Sequence, residues 1–358
     1  MSDVDVLTLP QALNYTTGAY VREEIFERQQ NTLFVQIGPD DFSRNPKHLH
    51  AFAQSISSLN LVVVGVLEKK RSQDFSDLAN GFDILITNEP DDGMSVTVPD
   101  INASILNLSQ CITRNPHASI ALAQLLRQEA FTSIEKGFVL ESMTYAMLQG
   151  GPEHADWIER RGALSQPISE SPIVYSLRNN NQLNIFLNNP ERANAFSSTM
   201  RDQLFEILQV AFFDQSIEKI SLRGKGKSFC SGGELAEFGS VISPPEAHLI
   251  RLSRNPGMSF HHLSDKTIAY LHGTCAGAGI EIPAFASKVI VDESVNIFLP
   301  EIAMGLIPGA GGTVSLPRRI GRQRTAFLAV TGDAISSETA LKWGLVDEVS
   351  STEFSGCS

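Results

Sequence analysis

Two glutamates lie in stretches of the sequence that otherwise consist of apolar and small residues. Glu281 lies in CAGAGIEIPAF, and Glu301 follows Pro300 in NIFLPEIAMGLIPGAGGT. A buried carboxylate is costly unless it is paired, protonated or used. Either residue alone is more typical of a helix start or the surface. Together they could act as general acid and general base, because a dry pocket would couple their pKa values or push them apart.

Two glycine-bearing turns accompany these acids. GKSFCSGGELAEFG runs from Gly226 to Gly239, and LHGTCAGAGIEIPAF runs from Leu271 to Phe285. Turns of this kind expose backbone N–H groups and let a ligand approach closely, so two of them could donate to the same oxygen. Because glycine-rich turns between strands and helices are common in α/β proteins, this signal alone is weak.

The elements that must position these residues alternate between strand and helix. In the first half, LFVQIG, LVVVGVLE and FDILIT are typical of strands, and residues 115–161 have helical spacing. The polar stretch Ala163–Pro172 indicates a domain boundary, after which the strand and helix alternation begins again. The sequence therefore predicts an α/β fold with parallel strands in two regions, 1–165 and 170–358.

Composition excludes several classes of function. The 358 residues carry a formal charge of −12, which argues against a nucleic-acid-binding or anionic-membrane-binding surface. The four cysteines have neither metal-site spacing nor the density of a disulfide scaffold, so no metal is expected. The N-terminus is acidic where a signal peptide would be basic, and no apolar run reaches membrane-spanning length. A cytoplasmic protein fits these features best.

Several segments of the second half together resemble the crotonase (enoyl-CoA hydratase/isomerase) superfamily. They lie in the family's order between Ile173 and Val349 and read NNPERANAFSSTM, GKSFCSGGELAEF, HGTCAGAGIEIPAFASKVIV, FLPEIAMGLIPGAGGTVSLPRRIG and AVTGDAISSETALKWGLVDEV. The resemblance implies a crotonase-like (ββα)n spiral fold with a helical subdomain. It also implies an acyl-coenzyme A substrate, no permanently bound cofactor, an enolate intermediate, and a homo-oligomer, trimeric or hexameric.

The resemblance assigns roles residue by residue. The N–H groups of Ser231 and Ala278 would bind the thioester oxygen, where many relatives have glycine in place of Ala278. Glu281 would take a proton from water as it attacks C3, Glu301 would protonate C2, and the Gly309 N–H would position the water. Coenzyme A would be contacted by Arg192, Ala193, Ala195, Phe229 and Gly232.

Hydration of a 2-enoyl-CoA is the expected reaction, because glutamate is present at both acid positions. Isomerisation, C–C hydrolysis and decarboxylation remain alternatives within the superfamily. A non-catalytic acyl-CoA-binding or assembly subunit is the alternative of another class.

The first half of the chain adds an unusual feature. Relatives continue into covering helices after the segment that ends this chain, and residues 115–161 resemble those helices placed ahead of the catalytic half. FDILITNEPDDGMSVTVPD also resembles SKVIVDESVNIFLPE, with Asp100 at the position of Glu301 but without either glycine turn. The hypothesis is a degenerate crotonase-like half whose helices serve the second. It requires that residues 115–161 contact the region 301–349 of the same chain or of a neighbouring subunit.

Overall fold

The computed structural model describes residues 4–38, 41, 46–67, 79, 81–90, 93–165, 172–240 and 243–350, with the backbone alone for 46–50. Its strands are β1 (Val6–Thr8), β2 (Thr32–Ile37), β3 (Val62–Leu67), β4 (Ile84–Thr87), β5 (Val96–Thr97), β6 (Val174–Asn179), β7 (Gln182–Leu187), β8 (Lys219–Gly224), β9 (Thr267–Leu271), β10 (Thr274–Ala276), β11 (Lys288–Val291), β12 (Asn296–Phe298), β13 (Ile335–Ser336) and β14 (Glu348–Val349).

The α-helices of the described residues are α1 (Leu9–Thr16), α2 (Val21–Glu27), α3 (Pro46–Ser57), α4 (Ile101–Arg114), α5 (Pro116–Arg127), α6 (Ile134–Gln149), α7 (Pro152–Arg161), α8 (Ser198–Phe213), α9 (Pro244–Ser253), α10 (Pro256–His262), α11 (Ala278–Glu281), α12 (Gly312–Ile320), α13 (Arg322–Thr331) and α14 (Ser337–Trp343). None of them is both long enough and apolar enough to cross a lipid bilayer.

The chain divides into two compact units, and the boundary differs from the one predicted. The first unit extends to Glu129 and includes the later segment Ile320–Thr331, whereas the second comprises Ala130–Arg319 and the chain after Gly332. Helices α6 and α7, predicted to belong with residues 1–165, are therefore part of the second unit. Helix α13, which comes late in the chain, instead belongs to the first unit, because it packs against β4, α4 and α5.

The first unit is built on a fully parallel sheet whose strands lie in chain order, β1-β2-β3-β4-β5. Every residue of the central strand β3, VVVGVL, is buried, which is typical of a parallel sheet covered on both faces. Phe52 and Ile56 of α3 belong to the core beside this sheet, where the rings of Phe52 and Phe82 lie 5.7 Å apart. Burial of these apolar side chains stabilises the unit.

A buried ion pair also belongs to the first unit. Asp83, 2% exposed, accepts hydrogen bonds from Arg127 Nε at 2.8 Å and Arg127 Nη2 at 2.6 Å. The Val63 N–H donates to the same carboxylate at 2.8 Å, and the Arg127 guanidinium also binds the carbonyl oxygens of Leu59 and Leu61, each at 2.7 Å. Both charges are thus compensated where they are removed from water.

The described residues of the second unit form two sheets. The larger has the order β14-β11-β9-β8-β7-β6 and is parallel except for the β6–β7 pair; the smaller has the order β10-β12-β13. In β7 the buried residues alternate, with Leu183, Ile185 and Leu187 facing inward, as the sequence pattern predicted. Because β8 and β9 are adjacent and parallel, the glycine turns that follow them lie at the same edge of the sheet.

The predicted strand-level repeat holds only in part. Strands β4 and β11 are alike, since each is parallel to the strand before it in its sheet. Strand β5 then pairs with β4, whereas β12 leaves the β11 sheet and pairs with β10. Asp100 caps helix α4 by accepting a hydrogen bond from the Ala103 N–H, at an exposed position. Asp100 is therefore a helix-capping residue, and unlike Glu301 it is not buried.

The contact required of the helical segment 115–161 is present. In the second unit, His154 of α7 lies 2.9 Å from the carbonyl oxygen of Met304, and α6 contacts the loop before α12. In the first unit, α5 packs against α13. This prediction is confirmed within the chain itself.

Candidate active site

The two glycine turns are joined by a short parallel bridge between Cys230 and Cys275. The Cys230 N–H donates to the Thr274 carbonyl oxygen at 3.1 Å, and the Ala276 N–H donates to the Cys230 carbonyl oxygen at 3.0 Å. Both thiols are buried, and burial raises the pKa of Cys230 to about 12, so the cysteines are small packing residues, as predicted. The bridge holds the two turns side by side.

Beside these turns lies a cavity of 230 Å³. It is formed within the second unit and combines apolar, acidic and basic side chains with backbone from both turns. Its lining residues are Tyr145, Gln149, Phe196, Ser197, Ser198, Arg201, Gly233, Glu234, Glu237, Phe238, Arg251, Arg254, Asn255, Pro256, Ala278, Glu281, Ile282, Glu301, Gly309 and Ala310. Four of the five predicted catalytic residues are therefore brought together, and Ser231 is not among them.

The structure contradicts the role predicted for Ser231. Its N–H donates to the carbonyl oxygen of Ala193 at 3.0 Å, so this group is not available to a ligand. Gly233, two residues later, lines the cavity, as does Ala278. Among the described residues, neither the Gly233 N–H nor the Ala278 N–H has a hydrogen-bond partner. The donors that the two turns offer to the cavity are thus Gly233 and Ala278.

Glu281 and Glu301 face the same small space next to Gly277. Glu281 ends the short helix α11 and is 1% exposed, while Glu301 begins a 3-10 turn after β12 and is 8% exposed. A methyl group on Gly277 would collide with Glu301 Oε1 and lie 3.6 Å from Glu281 Oε1. Gly277 also has φ +47°, which a side chain would strain, so glycine is required here for two reasons. The two carboxylates are therefore neighbours.

The hydrogen bonds of the two carboxylates differ. Glu281 Oε2 accepts from the Ala310 N–H and the Gly312 N–H, each at 2.8 Å. Glu301 Oε2 is buried and has no hydrogen-bond partner among the described residues. Donors that point at a carboxylate favour its charged form, whereas an unpartnered buried oxygen favours protonation. The environment thus distinguishes the two acids.

Both carboxyl groups have strongly raised pKa values. Burial raises the pKa of Glu301 to about 8, with a further contribution from the charge of Glu141. The pKa of Glu281 lies well above its usual range, first through burial and then through the charges of Glu301 and Glu141. Because one negative charge opposes the next, the pair retains a proton at neutral pH.

A third buried carboxylate, Glu141, was missed by the sequence analysis. It is 2% exposed on α6, and burial raises its pKa to about 7. It accepts hydrogen bonds from the Gly311 N–H at 2.8 Å, the Thr313 N–H at 2.9 Å and the Thr313 hydroxyl at 2.7 Å. Successive N–H groups of this loop therefore bind Glu281 and Glu141 in turn, and Glu141 fixes the loop that supports Glu281. Its place three residues after Phe138, on the apolar stripe of α6, was the available signal.

Tyr145, one turn further along α6, forms a wall of the cavity. Its ring packs so closely on the backbone of Gly309 that any side chain there would collide with the ring. The Arg251 guanidinium of α9 lies over the same ring, with its carbon 4.5 Å from the ring centre. Burial raises the pKa of Tyr145 above its usual range, so its hydroxyl stays neutral. Gly309, the predicted water-positioning residue, lines the cavity under this ring.

The predicted coenzyme A contacts lie beside this cavity, and none of the five is part of its lining. Arg192 is bound to Glu234 through its Nη2 at 2.6 Å and keeps 41% of its side chain exposed. Phe229 is 1% exposed, so its ring is a core element with no surface to offer a ligand. Of the remaining three residues, Ala193 and Ala195 lie in the segment between β7 and α8, and Gly232 lies within the first glycine turn, next to Gly233.

Comparisons with known proteins agree with this arrangement. The family model described as enoyl-CoA hydratase/isomerase matches residues 178–354. The putative enoyl-CoA hydratase/isomerase YngF of Bacillus subtilis is 33% identical over 178 residues, which is 49% of this chain and 68% of that protein. The 1,2-epoxyphenylacetyl-CoA isomerase of Escherichia coli is 33% identical over 171 residues, 47% of this chain and 65% of that protein. The chain thus spans about two thirds of the length of these two relatives.

A solved structure is similar as well. The enoyl-CoA hydratase from Thermoplasma volcanium GSS1 is 32% identical, with a TM-score of 0.48, over 51% of this chain and 74% of that chain. The residues matched by the family model hold both buried glutamates and both glycine turns of the cavity. This chain belongs to the enoyl-CoA hydratase/isomerase family.

Proposed function

We propose that this protein adds water across the C2–C3 double bond of a 2-enoyl-coenzyme A. The observation that carries the proposal is the pair of adjacent buried carboxylates, Glu281 and Glu301, facing a cavity that also exposes two backbone N–H groups. The thioester is the substrate, and the reaction needs no permanently bound cofactor. The two bacterial relatives named above support an acyl-CoA reaction.

The first requirement of the reaction is to stabilise a negative oxygen. Attack of water at C3 moves electrons onto the thioester oxygen, which becomes an enolate. The N–H groups of Gly233 and Ala278 are the donors assigned to that oxygen, because both line the cavity and neither is used elsewhere among the described residues. Preorganised donors in a site sheltered from water stabilise such charge strongly.

The second requirement is a base and an acid at neighbouring positions. Glu281 is assigned as the base, since the N–H groups of Ala310 and Gly312 favour its charged form. Glu301 is assigned as the acid, since its buried Oε2 has no hydrogen-bond donor among the described residues that would stabilise the charged form, and burial raises its pKa to about 8. Glu281 accepts one proton of the water, the remaining hydroxide oxygen bonds to C3, and Glu301 gives its proton to C2. Transfer of the proton from Glu281 back to Glu301 then restores both acids, so the hydrogen at C2 and the hydroxyl at C3 come, in net terms, from one water molecule.

The test is loss of the conjugated thioester absorbance when crotonyl-CoA is added, with the 3-hydroxyacyl product identified by mass spectrometry. Glu281→Gln and Glu301→Gln should each lower kcat by about 10²–10⁴-fold, the usual contribution of a positioned proton-transfer group. Glu293→Gln, an exposed carboxylate between β11 and β12, is the matched control and should retain wild-type rates. Full activity in both cavity variants would refute the mechanism.

Isomerisation of an enoyl-CoA is the second candidate. The unpartnered Glu301 Oε2 favours it, because one carboxyl group beside C2 and C4 is enough to move a proton between them. The two reactions separate at Glu281. If hydration is the reaction, Glu281→Gln removes activity, whereas an isomerase that works through Glu301 retains double-bond migration of 3-hexenoyl-CoA in that variant.

A further inference from the structure

One arginine of the cavity forms no ion pair in the described part of the chain, although the charge of the buried Glu141 acts on it. Arg251 lies on α9, and its contacts in the described residues are with neutral groups of α6 only. Its Nε donates to the Ser142 hydroxyl at 3.3 Å, its Nη2 to the Ser142 carbonyl oxygen at 3.4 Å and its Nη1 to Gln149 Oε1 at 3.2 Å. These are long bonds for a guanidinium, whose pairs with carboxylates are shorter and stronger.

The other arginines at this cavity are already paired. Arg201 binds Asp202 at 2.8 Å, and Arg254 lies 3.4 Å from Asp202 and 3.7 Å from Glu206. Within the described part of the chain, Arg251 is thus the arginine of the cavity lining that forms no ion pair. Its charge is met by neutral acceptors, by the Tyr145 ring and by Glu141 beyond ion-pair distance, so a carboxylate of a ligand would be a stronger partner than any of these.

Two of the four acidic residues that line the cavity, Glu234 and Glu237, do not fill this role. Glu234 is bound to Arg192, and Glu237 accepts hydrogen bonds from the Ser198 N–H at 2.8 Å and the Ser198 hydroxyl at 2.9 Å. Neither forms an ion pair with Arg251. The carboxylates of Glu234 and Glu237 are already bound by hydrogen-bond donors. An anionic group of a ligand beside Arg251 would therefore not be repelled by an unpaired carboxylate of these two residues.

Arg251 is separated from the proposed reaction centre by one aromatic ring. One part of the Tyr145 ring packs on Gly309, whose neighbour Ala310 donates to Glu281, and the guanidinium carbon lies 4.5 Å from the centre of the same ring. A ligand whose thioester lies at Gly233 and Ala278 and whose C2 and C3 lie at the two glutamates would extend its acyl chain along this wall. The far end of a short acyl chain would then reach Arg251.

We propose that the acyl group of the substrate carries a second carboxylate at its far end and that Arg251 binds it. This inference rests on the proposed function, since it takes the acyl chain to start at Glu281 and Glu301. A guanidinium offers paired N–H donors that match a carboxylate, and the cost of leaving it unpaired selects against an acyl chain that ends in a methyl group. The substrate class is thus a short-chain dicarboxylic monothioester of coenzyme A.

The test measures binding apart from turnover. Glutaryl-CoA and pentanoyl-CoA have five acyl carbons each, contain no double bond to hydrate, and differ only in the terminal carboxylate. Isothermal titration of the wild-type protein should show glutaryl-CoA bound about tenfold to a hundredfold more tightly, the range for a hydrogen-bonded charge. Arg251→Gln should abolish this ratio, while Arg254→Gln, which removes a paired arginine of the same cavity, should preserve it.

The controls separate the other roles open to Arg251. If it merely holds α9 against α6, Arg251→Gln weakens both ligands equally or lowers the melting temperature without changing the ratio. If it binds the coenzyme, affinity for free coenzyme A falls by the same factor as for the two thioesters. Equal affinity of the wild type for glutaryl-CoA and pentanoyl-CoA would overturn the inference outright, as would a ratio that survives in Arg251→Gln.

A kinetic arm distinguishes failure of this inference from failure of the proposed function. Hydration of glutaconyl-CoA and of 2-pentenoyl-CoA is compared in the wild type, where the inference predicts a higher kcat/KM for glutaconyl-CoA. Hydration of both at equal kcat/KM refutes the dicarboxylate inference and leaves hydration standing. Tight, Arg251-dependent glutaryl-CoA binding without hydration of either ester refutes hydration and leaves the binding inference standing.

Discussion

Asp83 of the first unit and Glu301 of the second are both buried carboxyl groups, but their surroundings are opposite. Asp83 in the first unit is 2% exposed, and its carboxylate accepts two hydrogen bonds from the Arg127 guanidinium and one from the Val63 N–H. Glu301 in the second unit is 8% exposed and has one carboxyl oxygen without a partner among the described residues. The carboxyl groups of both have been withdrawn from water, and only the first is given a cation.

The difference separates a structural charge from a reactive one. A cation with good geometry compensates a buried anion and ties together the elements that supply the two groups, here α5 and the start of β4. A buried carboxyl group without a cation instead keeps its proton, because its pKa rises until the neutral form dominates near pH 7. A protonated acid beside Glu281 is what a reaction that delivers a proton to carbon requires.

The largest effect is expected on catalysis in the second unit. Glu301→Gln should lower kcat for crotonyl-CoA hydration by about 10²–10⁴-fold. The same change should leave the free energy of unfolding at pH 8 equal to or above that of the wild type, because it removes a charge that burial disfavours. Stopped-flow absorbance and urea titration measure the two quantities. A strongly destabilised Glu301→Gln variant would indicate a structural acid and break the comparison.

The opposite result is expected for the ion pair of the first unit. Arg127→Met removes the cation that binds Asp83 through two nitrogens and leaves only Arg322 Nη1, 3.9 Å from Asp83 Oδ1, which should lower the free energy of unfolding by about 3–5 kcal/mol. Urea titration followed by circular dichroism measures this, and Arg114→Met, an exposed arginine at the end of α4, is the matched control. A loss below about 1 kcal/mol would show that Asp83 does not need its partner, contrary to the comparison.

The pH dependence of stability sharpens the comparison further. The pKa of Glu301 rises on folding from 4.5 to about 8, so the folded chain binds more protons than the unfolded chain between those values. Its contribution to stability is fully present below pH 4.5 and is lost as pH rises through about 8, with a size on the order of a few kcal/mol. Denaturant titrations at pH 6 to 9 should therefore show a steeper decline for wild type than for Glu301→Gln. Parallel curves would contradict the raised pKa.

The smallest effect is expected at Glu141. Glu141→Gln keeps one acceptor oxygen but cannot accept from all three donors of Gly311 and Thr313, so the loop that binds Glu281 should loosen. We expect kcat to fall about tenfold with little change in KM, because positioning of the base is impaired and ligand binding is not. Glu135→Gln, exposed on the same helix, is the control. A change in KM alone would assign Glu141 to ligand binding.

The sequence allowed Glu281 and Glu301 to be selected because a charge inside an apolar, glycine-rich run is visible without a structure. It could not show which N–H of the first turn is free, since the partner that occupies the Ser231 N–H is the carbonyl oxygen of Ala193, 38 positions earlier in the chain. Glu141 was out of reach for a related reason: its donors lie 170 and 172 residues away. Periodicity identified α6 but not the loop that its buried face meets.

The domain boundary was misplaced for a similar physical reason. Composition marks where the chain is polar, and Ala163–Pro172 is polar, but units are defined by which surfaces bury one another. Helices α6 and α7 belong to the second unit because their buried faces carry Glu141 and His154 onto the chain between Glu301 and Thr313. Nothing in the local sequence of these helices specifies that partner.

The protonation state of Glu301 at neutral pH tests the central claim most directly. Infrared difference spectra between wild type and Glu301→Gln, recorded in steps from pH 6 to pH 9, isolate the C=O stretch of a protonated carboxyl group. The account predicts a band that is present near pH 7 and disappears with a midpoint at about pH 8. Absence of that band at pH 6, with only the carboxylate stretch in the difference spectrum, would show that Glu301 is ionised and would contradict its assignment as the acid.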